Sequence, residues 1–129
     1  MHEIIAVGQA IVDPTRVRII ASLRRGGLCV CELVDALEIN QSTLSGHLQV
    51  LRQTGLVTTR KEGRWIYDSL TDRKIALIEA LFSNIQPDGG TDPRLRRDSR
   101  RIERRLAIRK NGRCVLGFTD LEKHQATLK

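Results

Sequence analysis

The stretch Gln41 to Gly55, QSTLSGHLQVLRQTG, sets Leu44, Leu48 and Leu51 on one helical face and polar side chains on the rest. Asn40 stands where an N-cap belongs, and Gly55 where the helix should stop. Just before it, CVCELVDALEI has the apolar spacing of a shorter helix, and EIN reads as a turn. Two short helices joined by a tight turn form a helix-turn-helix. After Gly55, LVTTR and RWIYDSL carry the β-branched and aromatic residues of strands, and they flank KEG, a turn in which Gly63 can take a positive φ. That is a β-hairpin, or wing. The expected fold is therefore mainly α with a small β-hairpin wing, a winged helix-turn-helix.

The flanking segments point to association. DPTRVRIIASLRRGG opens with Asp13 as N-cap and Pro14 at the first helical position, carries Val17, Ile20 and Leu23 on one face, and stops at Gly26-Gly27. Before it, HEIIAVGQAI reads as a short helix too apolar to stand in water alone. TDRKIALIEALFSNI has Ile75, Ile78, Phe82 and Ile85 on one stripe with Leu77 and Leu81 beside it, an apolar face too wide for a solvated helix. A second copy of the chain is the simplest cover, which predicts a homodimer. QPDGGTDP has linker composition, and Leu95, Ile102 and Leu106 give a weak helical stripe beyond it. The expected layout is a DNA-binding and dimerisation domain over 1–86, a linker over 87–93, and an Arg-rich extension carrying Cys114 over 94–129.

The formal charge of +7 suits a polyanionic partner. It is unevenly placed: Arg94 to Arg113 holds ten basic and two acidic residues, so the rest of the chain is nearly neutral. Nucleic-acid binding by the core must then rest on a few placed side chains, with a non-specific term from the Arg-rich segment. No apolar run is long enough to span a bilayer, and the N-terminus lacks a signal-peptide pattern, so a soluble cytoplasmic protein is expected. No Ser/His/Asp set, phosphate loop or paired carboxylates stand in recognisable context, so no enzymatic activity is expected.

The second helix of a helix-turn-helix enters the major groove. Its outward residues here are Gln41, Ser42, Thr43, Ser45, His47, Gln49 and Arg52, with amide, hydroxyl, imidazole and guanidinium groups suited to bases and phosphates. Arg60, Lys61 and Arg64 at the hairpin add cations that can reach phosphates or the minor groove. Gly46, mid-helix, costs roughly 1 kcal/mol relative to Ala and leaves room for close approach to a backbone or to DNA. Trp65 and Tyr67 read as packing residues that cover one face of the hairpin.

LCVCEL, at the start of the first helix, places Cys29 and Cys31 one residue apart. Together with the motifs after it, LCVCELVDALEINQSTLSGHLQVLRQTGLVTTRKEGRWIYDSL resembles the core of the ArsR/SmtB family of metal-responsive repressors, whose metal box ELCVCDL is matched here by LCVCEL. The resemblance covers about residues 3 to 86. It implies a winged-helix homodimer, joined through its first and last core helices, that binds a promoter operator and is released by a toxic metal or metalloid. Two positions depart from the family pattern. Val34 stands where arsenic sensors with this box often carry a third cysteine, and Gly46 where a polar or basic residue is frequent.

On a regular helix Cys29 and Cys31 would point roughly 200° apart, so sharing one ion would require the helix start to unwind. Thiolates select soft ions, and Arg24 and Arg25 before a helix N-terminus should help Cys29 ionise. The resemblance favours trivalent arsenic or antimony, which takes three thiolates, and Cys114 is the third cysteine of the chain. Zinc is disfavoured, because His2, His47 and His124 are scattered and the last core helix lacks paired His and acidic residues. Two rivals remain open. The cysteines can form a disulfide or persulfide, making a redox sensor of the same fold. Alternatively the Arg-rich tail can bind RNA or an acidic protein, making the chain an interaction module.

These assignments separate by mutation. Arg64→Ala is expected to weaken binding to many duplexes alike, whereas Gln41→Ala or Thr43→Ala narrows the gap between operator and random DNA. Equal losses on both duplexes from all three, in a fluorescence-anisotropy titration, would count against the helix assignment.

Overall fold

The computed structural model describes residues 1–85, 90 and 92–115. Helix α1 spans His2–Ala10 and α2 Pro14–Leu23. A two-residue strand β1, Leu28–Cys29, leads into α3, Val30–Leu37, and α4, Gln41–Gln53. Strands β2, Val57–Glu62, and β3, Trp65–Leu70, form the wing, and α5, Asp72–Asn84, and α6, Pro93–Ala107, follow. The three strands make one antiparallel sheet in the order β1-β3-β2.

Local chemistry sets most of these boundaries. Asp13 accepts the backbone N–H groups of Thr15 and Arg16 on Oδ1 at 2.8 and 3.2 Å, satisfying two donors that the start of α2 cannot pair internally. Asn40 does the same for α4, accepting from Thr43 at 2.8 Å. Leu44, Leu48 and Leu51 are fully buried, as their spacing predicts. In the wing, Glu62 pairs with Trp65, leaving a two-residue loop in which Gly63 takes φ 59° and Arg64 no positive φ, the sign pattern of a type II′ turn.

One core joins the helices: Ile19, Ile20 and Leu23 of α2, Leu33 and Leu37 of α3, the three leucines of α4, and Ile102 of α6. The outer faces of α1 and α5 are left open. Ile4 and Ile5 are 75% and 49% exposed, and Ile75 and Leu77 41% and 40%. Between these helices Val7, Ile11, Leu81, Phe82 and Ile85 line an apolar groove.

Most of the linker expected over 87–93 lies outside the described residues, but its end does not. Asp92 caps α6 by accepting from Leu95 N–H at 2.9 Å, so the helix begins at Pro93, ahead of the expected boundary at 94. The Arg-rich segment is a helix docked on α2 and α3, and several of its cations are spent inside the molecule. Arg97 meets Glu38 at 2.8 Å, Arg105 meets Asp35 at 3.2 Å, and Arg109, just beyond the helix, meets Glu32 at 2.5 Å. Arg101 donates to the carbonyls of Asp35 and Ala36, both at 2.9 Å, and Arg18 of α2 donates to that of Leu37 at 2.7 Å, so guanidinium groups satisfy the C-terminal carbonyls of α3. Arg18 also grips Asp98 of α6 through two bonds of 2.7 and 2.9 Å. Arg96, Arg100 and Arg104 face outward and are left for solvent or a polyanion.

Because Ile102 is fully buried in the shared core, Ile102→Ala should lower the unfolding free energy of the whole chain by about 2–5 kcal/mol. Urea denaturation followed by circular dichroism checks this; a loss confined to α6, with the rest of the transition unmoved, would contradict it.

Candidate thiol site and nucleic-acid interface

The main departure from the sequence reading concerns Cys29. It lies in β1, opposite Tyr67 of β3, and serves as N-cap of α3 with extended backbone at φ −81° and ψ 159°. Glu32, fully buried at the third helical position, accepts the Cys29 N–H at 3.0 Å and holds this conformation. Being outside the helix, Cys29 is not turned away from Cys31. Their sulfurs stand 2.8 Å apart, and no unwinding is needed to bring them together.

Cys114 completes the group. Its Sγ lies 3.4 Å from that of Cys31, and all three sulfurs fall within 4.8 Å of one another, each cysteine buried. Three features seat it. Arg109 donates to both carboxylate oxygens of Glu32 and, at 2.8 Å, to the carbonyl of Gly27. Arg105 reaches Cys114 Sγ at 3.6 Å while paired with Asp35. The backbone N–H of Cys114 donates to the Tyr67 hydroxyl at 2.9 Å. Tyr67 and Trp65 do pack, as expected, but they pack on the cysteines.

The expected help from Arg24 and Arg25 does not arise, because these side chains turn to Glu79 of α5 and Glu103 of α6. Hydrogen bonding to Cys114, then to Cys31, and then burial raise the Cys29 thiol well above its ordinary value. Cys31 is pushed up to about 12, first by its contact with Cys114. Cys29 and Cys31 therefore keep their protons at neutral pH. Burial also raises the Tyr67 phenol, which stays protonated.

Three buried sulfurs without apolar neighbours on every side suit a soft ion. Thiolates that share one centre at bond lengths near those of zinc stand roughly 3.5–4 Å apart, and the observed spacing needs only small shifts to meet that. His2 and His47 are not part of the group, and His124 lies outside the described residues.

Of the expected DNA-facing residues, Gln41, Ser42, Thr43, Ser45 and Gln49 are exposed on one side of α4, and Arg60, Lys61 and Arg64 on the wing. Gly46 is open too: a Cβ there would meet nothing within 4 Å. On the wing Arg60 pairs with Glu62 at 3.1 Å and Arg64 lies over the Trp65 ring, and two residues of α4 are tied to other elements. His47 is half-buried with Nδ1 3.4 Å from Arg16 Nη1. Arg52 binds the buried Asp68 of β3 through Nε and Nη2, at 3.1 and 2.9 Å. Glu32, Asp68, Arg105 and Arg109 were not singled out by the motifs. Only the position of Glu32 three residues past Cys29 carries a local sign of its role.

The model of the bacterial regulatory protein, arsR family, matches residues 13–59, the span from the cap of α2 into β2. The chain is 36% identical over 89 residues to the arsenic resistance transcriptional regulator ArsR1 of Pseudomonas putida, covering 66% of this chain and 70% of that one. The chain belongs to the arsR family. Among solved structures, this arsR-family chain is similar to the homodimeric winged helix-turn-helix DNA-binding domain Mb0332 of Mycobacterium bovis. The TM-score is 0.60, with 30% identity over 65% of this chain and 78% of that one. It is also similar to the cadmium metal-sensor CMTR of Mycobacterium tuberculosis, with TM-score 0.56 and 29% identity, and there the match covers 87% of this chain and 96% of that one. Among the described residues no helix is long and apolar enough to cross a membrane.

The Glu32–Arg109 pair is 1% and 15% exposed, so Glu32→Gln, which strands a charge beside the thiols, should cost about 3 kcal/mol in urea unfolding. An unchanged midpoint would mean that the pair does not hold the tail in place.

Proposed function

We propose that the chain is a metalloid-responsive transcriptional repressor that binds operator DNA as a homodimer in the cytoplasm and lets go when trivalent arsenic or antimony binds Cys29, Cys31 and Cys114. The single observation that carries this reading is the buried triad of thiols, drawn from β1, α3 and the segment after α6. When bound, a trivalent centre exchanges its hydroxyls for three thiol sulfurs, each thiol proton leaving with a hydroxide as water.

The chain's own residues prepare that exchange. Glu32 fixes the backbone of Cys29, Arg109 locks the tail to Glu32 so that Cys114 is held by the other two, and Trp65 and Tyr67 keep bulk water away. For DNA, the exposed side chains of Gln41, Ser42, Thr43, Ser45 and Gln49 face the major groove, with His47 beside them. Arg60, Lys61 and Arg64 take phosphates or the minor groove. Arg52, held by Asp68, orients α4 and presents what remains of its guanidinium to the backbone. The open apolar faces of α1 and α5 are the dimer contact, a reading that the homodimeric Mycobacterium bovis structure supports. The name of the Pseudomonas putida relative supports arsenic as the inducer.

The test is operator binding by reduced protein with its own upstream DNA, titrated with arsenite. Arsenite should weaken wild-type binding by roughly 5–150-fold, the usual range of coupling between two sites. Cys29→Ser, Cys31→Ser and Cys114→Ser should each bind operator and ignore arsenite. A wild type that ignores arsenite but leaves DNA on treatment with peroxide would replace this reading with the redox sensor.

A further inference from the structure

The thiol triad and the recognition helix lie on opposite faces of the same sheet. Side chains alternate along a strand, so consecutive residues of β3 address the two faces. On the first face Tyr67 stands opposite Cys29 in β1 and packs with Cys29, Cys31 and Cys114, its hydroxyl receiving the N–H of Cys114 at 2.9 Å. Arg60 of β2 lies across from it, with Cζ 5.7 Å from the ring centroid.

On the second face the next residue, Asp68, is fully buried. It receives Arg52 Nη2 of α4 at 2.9 Å and Thr59 Oγ1 of β2 at 2.7 Å, both on Oδ1. Asp68 Oδ2 is buried and has no hydrogen-bond partner among the described residues. The carboxylate therefore concentrates its donors on one oxygen and keeps an unused acceptor. A small rotation gives Arg52 a second seat, which is the property a two-state element needs.

Ligation supplies the push. One ion held by Cys29, Cys31 and Cys114 fixes the relative positions of sulfurs that come from β1, α3 and the segment after α6, so occupancy adjusts these segments against one another. Cys29 is bound to β3 through the ladder, and Cys114 through the phenol of Tyr67.

We infer that Tyr67 and Asp68 are the link through which occupancy of the thiol site resets the recognition helix and the wing: Tyr67 follows Cys114 on one face while Asp68 holds Arg52 and Thr59 on the other. The inference rests on the sensor reading above and adds its route. Both are positioning residues, since neither touches DNA or the inducer.

The test compares wild type with Tyr67→Phe, which deletes one hydroxyl. Operator affinity is measured with and without saturating arsenite, and arsenite affinity from the fluorescence of Trp65, the single tryptophan of the chain, which packs on the cysteines. The variant should bind operator within about threefold of wild type and still saturate with arsenite, at whatever concentration the Trp65 signal shows, while the ratio of operator Kd with to without saturating arsenite falls at least about fivefold. A merely structural role would lower an affinity or the melting temperature and leave the ratio alone. Asp68→Asn is a second variant of nearly unchanged shape, and its ratio should fall too, whether or not Tyr67→Phe folds. A responsive wild type with ratios within twofold of it in both variants overturns the link and leaves the sensor reading intact. A wild type with no arsenite response overturns both.

Discussion

The fold depends most on what happens to one buried carboxylate. Glu32 caps the backbone of Cys29 and receives two guanidinium bonds from Arg109, and it is fully buried. An ionised group so placed is tolerable only when its lone pairs are matched by donors of opposite charge. The match ties the N-terminal end of α3 to the tail and so brings the distant Cys114 to Cys29 and Cys31. The rest of the ladder, Asp35 with Arg105 and Glu38 with Arg97 and Arg101, extends the same tie along α3. Its outer pairs are exposed and contribute little each; their role is to set the register in which α6 lies.

The sheet then acts as a partition. Three short strands separate a buried cluster of sulfur and aromatic rings from the helical core that carries α4. Because β3 is central in the sheet, it is bonded to both neighbours and cannot shift without moving the wing. Gly27, just before β1, passes so close to β3 that a Cβ would lie 2.7 Å from Ser69 Oγ, which keeps the cysteine-bearing strand tight against it.

Much of this was legible in the sequence, because it depends on short-range chemistry. Asp13-Pro14, Asn40 and the leucines of α4 announce their helices, and Gly63 its turn. The start of α3 misled, since the apolar spacing of CVCELVDALEI fits a helix from Cys29 and nothing local shows that β3 will claim Leu28 and Cys29 as ladder partners. The arginines of α6 read as a basic surface because their acidic counterparts sit some 60 to 80 residues earlier, as the pairs Arg97–Glu38 and Arg109–Glu32 show with separations of 59 and 77. The convergence of Cys114 on Cys31, across 83 residues, could be suspected from valence and from the count of cysteines, but not located.

That last separation also has a meaning in time. The residues from Asp13 to Leu70 supply the helix-turn-helix and the wing, and they are synthesised before α6 and the tail. Cys114 arrives late, and only docking of α6 and the tail can bring it to the other two. A nascent chain thus carries its helix-turn-helix and wing before the third thiol has been made, and the cluster of three sulfurs can close only after residue 114 has been added.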